Sequence, residues 1–140
     1  MQSTISDRPG VLPDQIAFTL PIPGFPDERE FTVTELDEHG VLFALRSVRT
    51  PGLRFVLAAP GRFFPRYQPV LMPADVAALG VSDGDEVLVL VVVTVTDGIA
   101  DATANLLAPI VIAADRGTAV QLVLADGDLP LRAPLLGRAG

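Results

Sequence analysis

Val87-Leu-Val-Leu-Val-Val-Val-Thr-Val95 decides the fold. Six valines and one threonine in nine residues are stiff at χ1 and fit a pleated strand better than a helix. The stretch is about half the length of a membrane-spanning helix. A strand in a sheet with one wet face alternates apolar and polar residues, and this one does not. Both of its faces must therefore be covered. The cover is either a helix or long loop of the same chain, or a partner that completes a neighbouring apolar surface.

Working outward, Asp83-Gly-Asp85 turns the chain into this strand, and Pro73-Ala-Asp-Val-Ala-Ala-Leu-Gly80 precedes the turn. Proline suits a first helical turn, Asp75 lies near the positive end of the dipole and Gly80 can end the helix, so a short helix is predicted near 73–79. Further upstream, Phe31-Thr-Val-Thr-Glu-Leu36 alternates with the period of a half-buried strand. Asp37-Glu-His-Gly40 reads as a hairpin loop with Gly40 in the left-handed position, and Val41-Leu-Phe-Ala-Leu45 as the returning strand. A third strand, Leu53 to Ala58, follows the Thr50-Pro-Gly52 turn. Pro60 to Pro69 is a loop carrying Phe63, Phe64 and Tyr67. Prolines 21, 23 and 26 make Pro21 to Pro26 a fixed loop or an edge crossing. Downstream, strands are expected at about 103–107, 109–113 and 119–124, with loops at 97–101, 114–118 and 125–128. The fold class is all-β: a small antiparallel β-barrel-like or sandwich domain with one short helix. Residues 1–14 read as a flexible lead-in, 15–135 as a single domain and 136–140 as a tail.

Composition narrows the function. The 140 residues suffice for one domain that buries roughly two-thirds of its unfolded surface. Without cysteine, disulfides, thiolate metal sites and a cysteine nucleophile are excluded. No basic-then-apolar signal segment opens the chain, and no stretch is long enough to span a bilayer, so a soluble cytoplasmic protein is expected. The net charge of −7 disfavours direct contact with nucleic acid or anionic membrane and favours basic partners. Solubility alone also accounts for such a charge. All ten basic residues are arginine.

Catalytic groups do not assemble in the sequence. His39, the only histidine, falls in the predicted hairpin loop beside Glu38, where it reads as a solvated turn residue. Asp37/Glu38 and Asp83/Asp85 lie on turns, and their spacing is not that of a calcium loop. Ser47 and Ser82 lack a nucleophile-elbow context, and no glycine-rich phosphate loop opens a helix. A non-enzymatic protein without metal or cofactor is expected.

Several motifs occur in order: Pro23-Gly-Phe-Pro26 ahead of the Phe-Thr-Val-Thr strand, Phe43-Ala-Leu-Arg-Ser47, and Pro51-Gly-Leu-Arg-Phe-Val56. They continue with Phe63-Phe-Pro-Arg-Tyr67, Leu79-Gly80 leading to the valine strand, Thr103 to Ile112, and Leu129-Pro-Leu-Arg-Ala-Pro134. In this order and spacing the chain resembles the bacterial flagellar assembly factor FliW family, from about Phe18 to Pro134. The resemblance implies a small β-barrel-like fold and two alternative protein partners in the cytoplasm. One is newly made flagellin. The other is CsrA, a small dimeric RNA-binding repressor of flagellin translation, which the free FliW-type protein binds and antagonises. The protein is expected to be monomeric on its own.

The partner-binding residues expected on this basis fall into three groups. Asp27, Glu28, Glu30, Glu35, Asp37 and Glu38 are the densest negative segment and could repel RNA from a basic regulator, or form only a solvated hairpin edge. Phe63, Phe64 and Tyr67 are either interface anchors or a plug for one end of the barrel. Asn105, with Leu106 and Pro109, is either a recognition amide or one that fixes the turn before Pro109. In the family a polar cap usually precedes the short helix, and here Met72 stands in its place. Two other readings remain open: a flagellin chaperone with no CsrA role, and a small-ligand barrel or hydrolase with an open pocket and a perturbed carboxylate.

Overall fold

The computed structural model describes residues 4–6, 12–38, 40–69, 71–80, 86–95, 98–125 and 127–135. His39, Ser82 and the Asp83–Asp85 turn lie outside them, as do most of the lead-in and the 136–140 tail. Ten strands are present among the described residues: β1 Thr4–Ser6, β2 Gln15–Phe18, β3 Glu30–Glu35, β4 Leu42–Ser47 and β5 Arg54–Ala58, then β6 Glu86–Thr94, β7 Thr103–Ala104, β8 Ile110–Ala113, β9 Thr118–Gln121 and β10 Ala133–Pro134. Among the described residues a single α-helix, α1, spans Pro73–Ala77. Seven strands close a barrel in the order β6-β5-β4-β3-β2-β9-β8, with β8 returning to β6.

β6 is the rail on which the barrel closes. Its N-terminal half pairs with β1 and β8, and its C-terminal half with β5 and β7. Leu88 and Leu90 point into the barrel with Phe18, Phe31, Phe43, Leu45, Leu57, Ile110 and Ile112, and Val92 packs against the same core. The opposite face is divided between two outer clusters. Val87 and Val89 pack with Leu79, Val111, Ala113 and Val120, with Leu71 and Leu122 alongside. Val91 and Val93 pack with Ala104, Leu106, Ala133 and Leu135 beneath Phe63, Phe64 and Tyr67. The missing alternation thus has an internal cause: both faces are covered by the chain itself. Each buried Leu or Val side chain of this kind is worth about 1.5–3 kcal/mol of transfer free energy.

In the interior, Phe31 stacks edge-on against Phe18 at 5.4 Å and Phe55 at 5.9 Å. Phe55 in turn meets Phe25 at 5.2 Å, which pins the proline loop to the core. That loop folds back at Gly24 (φ 90°), where Phe25 N–H donates to the Ile22 carbonyl at 2.8 Å. It is a fixed loop.

The structure departs from the sequence reading in several places. The barrel is not purely antiparallel, because β2 runs parallel to β9; outside the barrel, β1 also pairs in parallel with β6. The lead-in contributes a strand, and Leu12 packs against the core. The strand expected over 103–107 stops at Ala104, where Asn105 begins a turn, and Pro109 lacks the N–H needed to extend β8 backward. β9 ends at Gln121, and β10 was not foreseen. The helix is shorter than 73–79, although Gly80 ends that segment at φ 76°. Its start is tied despite Met72, since Asp75 reaches back and accepts from Met72 N–H at 3.0 Å. That contact is half of a capping box.

Candidate functional site

The aromatic loop is built onto the barrel wall. A 3-10 turn at Pro60–Arg62 brings Phe63 and Phe64 N–H to the Pro60 carbonyl at 3.0 and 2.7 Å. Tyr67 N–H donates to the Phe64 carbonyl at 2.9 Å. The three rings, each half-buried, cover the outer face of β5, β6 and β7 and do not plug an end of the barrel. The Tyr67 hydroxyl donates to the Leu106 carbonyl at 2.6 Å, and burial pushes its pKa up to about 12. It therefore remains a neutral donor at ordinary pH.

The second group meets the first through that bond. Asn105 Oδ1 accepts from Leu107 N–H at 3.1 Å and Ala108 N–H at 3.0 Å, which fixes the turn before Pro109. Leu106 and Pro109 are buried. Of these six residues, the three aromatics keep exposed ring surface, while Asn105, Leu106 and Pro109 hold the loop in shape.

The acidic segment divides into two parts. Glu28 is only 8% exposed and accepts hydrogen bonds from the hydroxyls of Ser47 and Thr50. Those two bonds hold its carboxyl below the usual carboxylate range, against the opposing effect of desolvation and with a smaller contribution from Arg49. Asp37 Oδ1 accepts from Val41 and Leu42 N–H, both at 2.9 Å, and so ties the β3–β4 hairpin, where Gly40 takes φ 66°. Asp27, Glu30, Glu35 and Glu38 remain exposed. Glu30 and Glu35 stand at opposite ends of β3, about 16 Å apart at a strand rise near 3.3 Å per residue. That is further than a Debye length of about 8 Å, so the segment presents two negative poles and not one patch.

Two surface features were not singled out from sequence. One is a groove of about 390 Å³ between α1 and the chain after β9, lined by Tyr67, Pro69, Met72, Val123, Leu124 and Leu129 among others. Val123 is 74% exposed there. The other is the open part of the outer face of β3, β4 and the start of β5, where Thr34, Arg46 and Arg54 are exposed. A signal for the second was present: Arg46 and Arg54 lie equally far from Thr50 at the centre of the β4–β5 hairpin, which predicts that they face each other.

Among the described residues, no group of three or more His, Asp or Glu could hold a metal ion. No described helix is long and apolar enough to cross a membrane.

Comparison with known proteins follows the same lines. Residues 5–135 match the family model described as FliW protein. The chain is 38% identical over 123 residues to the flagellar assembly factor FliW of Heliobacterium modesticaldum, covering 85% of this chain and 80% of that protein. It is 32% identical over 124 residues to the Bacillus subtilis factor of the same name, covering 89% and 87%. A crystal structure of the flagellar assembly factor FliW superposes with a TM-score of 0.81 at 33% identity, over 89% of this chain and 86% of the other.

Proposed function

The chain belongs to the FliW family of flagellar assembly factors, and from that membership we propose that it is a non-enzymatic, partner-switching regulator acting in the cytoplasm. Its partners on this reading are flagellin and the RNA-binding repressor CsrA. Flagellin that accumulates occupies the protein and leaves CsrA free to repress. Flagellin that is exported releases the protein to bind CsrA and lift repression. The switch works only if binding one partner weakens binding of the other, a coupling that is reciprocal by linkage.

The observation that carries the reading is the family match over residues 5–135. The net charge of −7 is consistent with it. A regulator that grips RNA phosphates must present cationic surface, and an acidic protein docked nearby repels RNA without covering the RNA site. Asp27, Glu30, Glu35 and Glu38 are the side chains free to act in this way, since Glu28 and Asp37 already serve the fold.

Size-exclusion chromatography with purified flagellin and CsrA, singly and together, tests the proposal. A shift with each partner, and displacement of one by the other, is the expected result. No shift with either overturns it. Reversing the charge of Asp27, Glu30, Glu35 and Glu38 together should slow association with CsrA and flatten its salt dependence, with little change in melting temperature. Stopped-flow association at two ionic strengths measures both effects, and unchanged kinetics leaves these residues a solubility role only.

A further inference from the structure

The outer face of β4 and β5 changes character along its length. Leu42, Val56 and Ala58 lie under the aromatic loop and Ala44 between them is buried, while one pair further along, Arg46 and Arg54 lie open. The register sets Arg46 directly opposite Arg54, with Thr32 of β3 and Gln15 of β2 continuing the same row. Cross-strand partners stand with Cβ atoms about 5 Å apart, and like charges so placed weaken a sheet. Neither guanidinium has an ion-pair partner among the described residues. Glu30, on the same face, is displaced by two positions along β3. Threonine or valine at 46 and 54 would avoid that repulsion.

We propose that Arg46 and Arg54 form a two-guanidinium docking site for an acidic segment of a protein partner. Two planar forks side by side can each hold a carboxylate in two parallel N–H···O bonds. The net charge of −7 argues for a short acidic stretch over a nucleic acid, because a long polyanion meets the field of the whole protein and a few carboxylates meet mainly the local pair. Val48 follows Arg46 on the same side of the chain, is 56% exposed and borders a recess of about 280 Å³ with Ala17 and Glu30. The segment that fits therefore carries an apolar residue beside its acidic ones. The inference rests on a protein-binding role but not on which proteins bind, so competition between flagellin and CsrA is a separate measurement.

The test is fluorescence anisotropy at low ionic strength with a labelled peptide of alternating glutamate and valine, using wild type and the Arg46→Thr/Arg54→Thr double variant. The wild type should bind it, and the variant should bind roughly tenfold or more weakly if each lost charge pair counts for severalfold. The variant should melt at or above the wild-type temperature in low salt, because the repulsion is gone. If it melts lower, Arg46→Gln/Arg54→Gln repeats the binding comparison with a longer polar side chain. No wild-type binding at millimolar peptide, binding by either double variant equal to that of wild type, or equal binding of a lysine-valine peptide overturns the proposal. So does displacement by equimolar inorganic phosphate or by a short RNA, which would make the site a general anion or nucleic-acid site.

Discussion

The outward face of β6 and the outward face of β3–β4 belong to one barrel and have opposite fates. Val87, Val89, Val91 and Val93 are roofed by Leu71, Leu79 and Leu122, by the aromatic loop and by β7 with β10. On β3–β4 the aromatic loop reaches Leu42, while Thr34 and Arg46, with Arg54 of β5, stay exposed. What is placed outside β6 builds a second packed layer over the barrel. Residue type marks the difference: unbroken valine on the covered side, threonine and arginine on the open one.

Four substitutions sharpen or break this contrast. The largest effect belongs to neither outer face. Phe31→Ala removes a ring that is 0% exposed and touches both Phe18 and Phe55, and it should cost about 3–5 kcal/mol in denaturant unfolding. Next, Val89→Thr buries a hydroxyl among Leu79, Val111 and Val120 and should cost about 1–3 kcal/mol. An effect near zero would mean that the roof is wet. Asn105→Ala strips the acceptor from Leu107 and Ala108 N–H and should cost about 1–2 kcal/mol by the same measurement. On the open side, Thr34→Val should stay within about 0.5 kcal/mol of wild type. A larger change there would break the contrast.

Glu28 adds a pH dependence. Its folded pKa lies below the unfolded value, so its stabilisation is fully present above the unfolded carboxylate pKa and is lost as pH falls through the folded one. Chemical unfolding of wild type and Glu28→Gln at a series of pH values should show the wild-type advantage shrinking on acidification. A gap independent of pH would mean that the Ser47 and Thr50 contacts do not depend on the carboxylate charge.

Much of the barrel was legible because its signals are local. The β3–β4 hairpin, the β4–β5 turn and the need to cover β6 on both sides all follow from alternation, Gly40 and the valine run. The parallel pairs were not legible, since nothing in Gln15–Phe18 or Thr4–Ser6 names a partner roughly eighty to a hundred residues away. The ends of β7 and β8 depended on where the Asn105 side chain points, which spacing alone does not settle. Among the site residues, Glu28 and Asp37 looked like their acidic neighbours in sequence. Only the hydroxyls of Ser47 and Thr50, and the amides of Val41 and Leu42, set them apart.

The pairing of β2 with β9 also fixes an order of events during synthesis. Ala17 and Phe18 find their strand partners at Thr118 and Ala119, and β6 does not meet β8 until residues 110–113 have been made. Until then β2 and β6 both present unpaired backbone on the growing chain, and long-range closure of this kind is slow. The barrel can therefore close only once β8 and β9, in the last third of the chain, have been made.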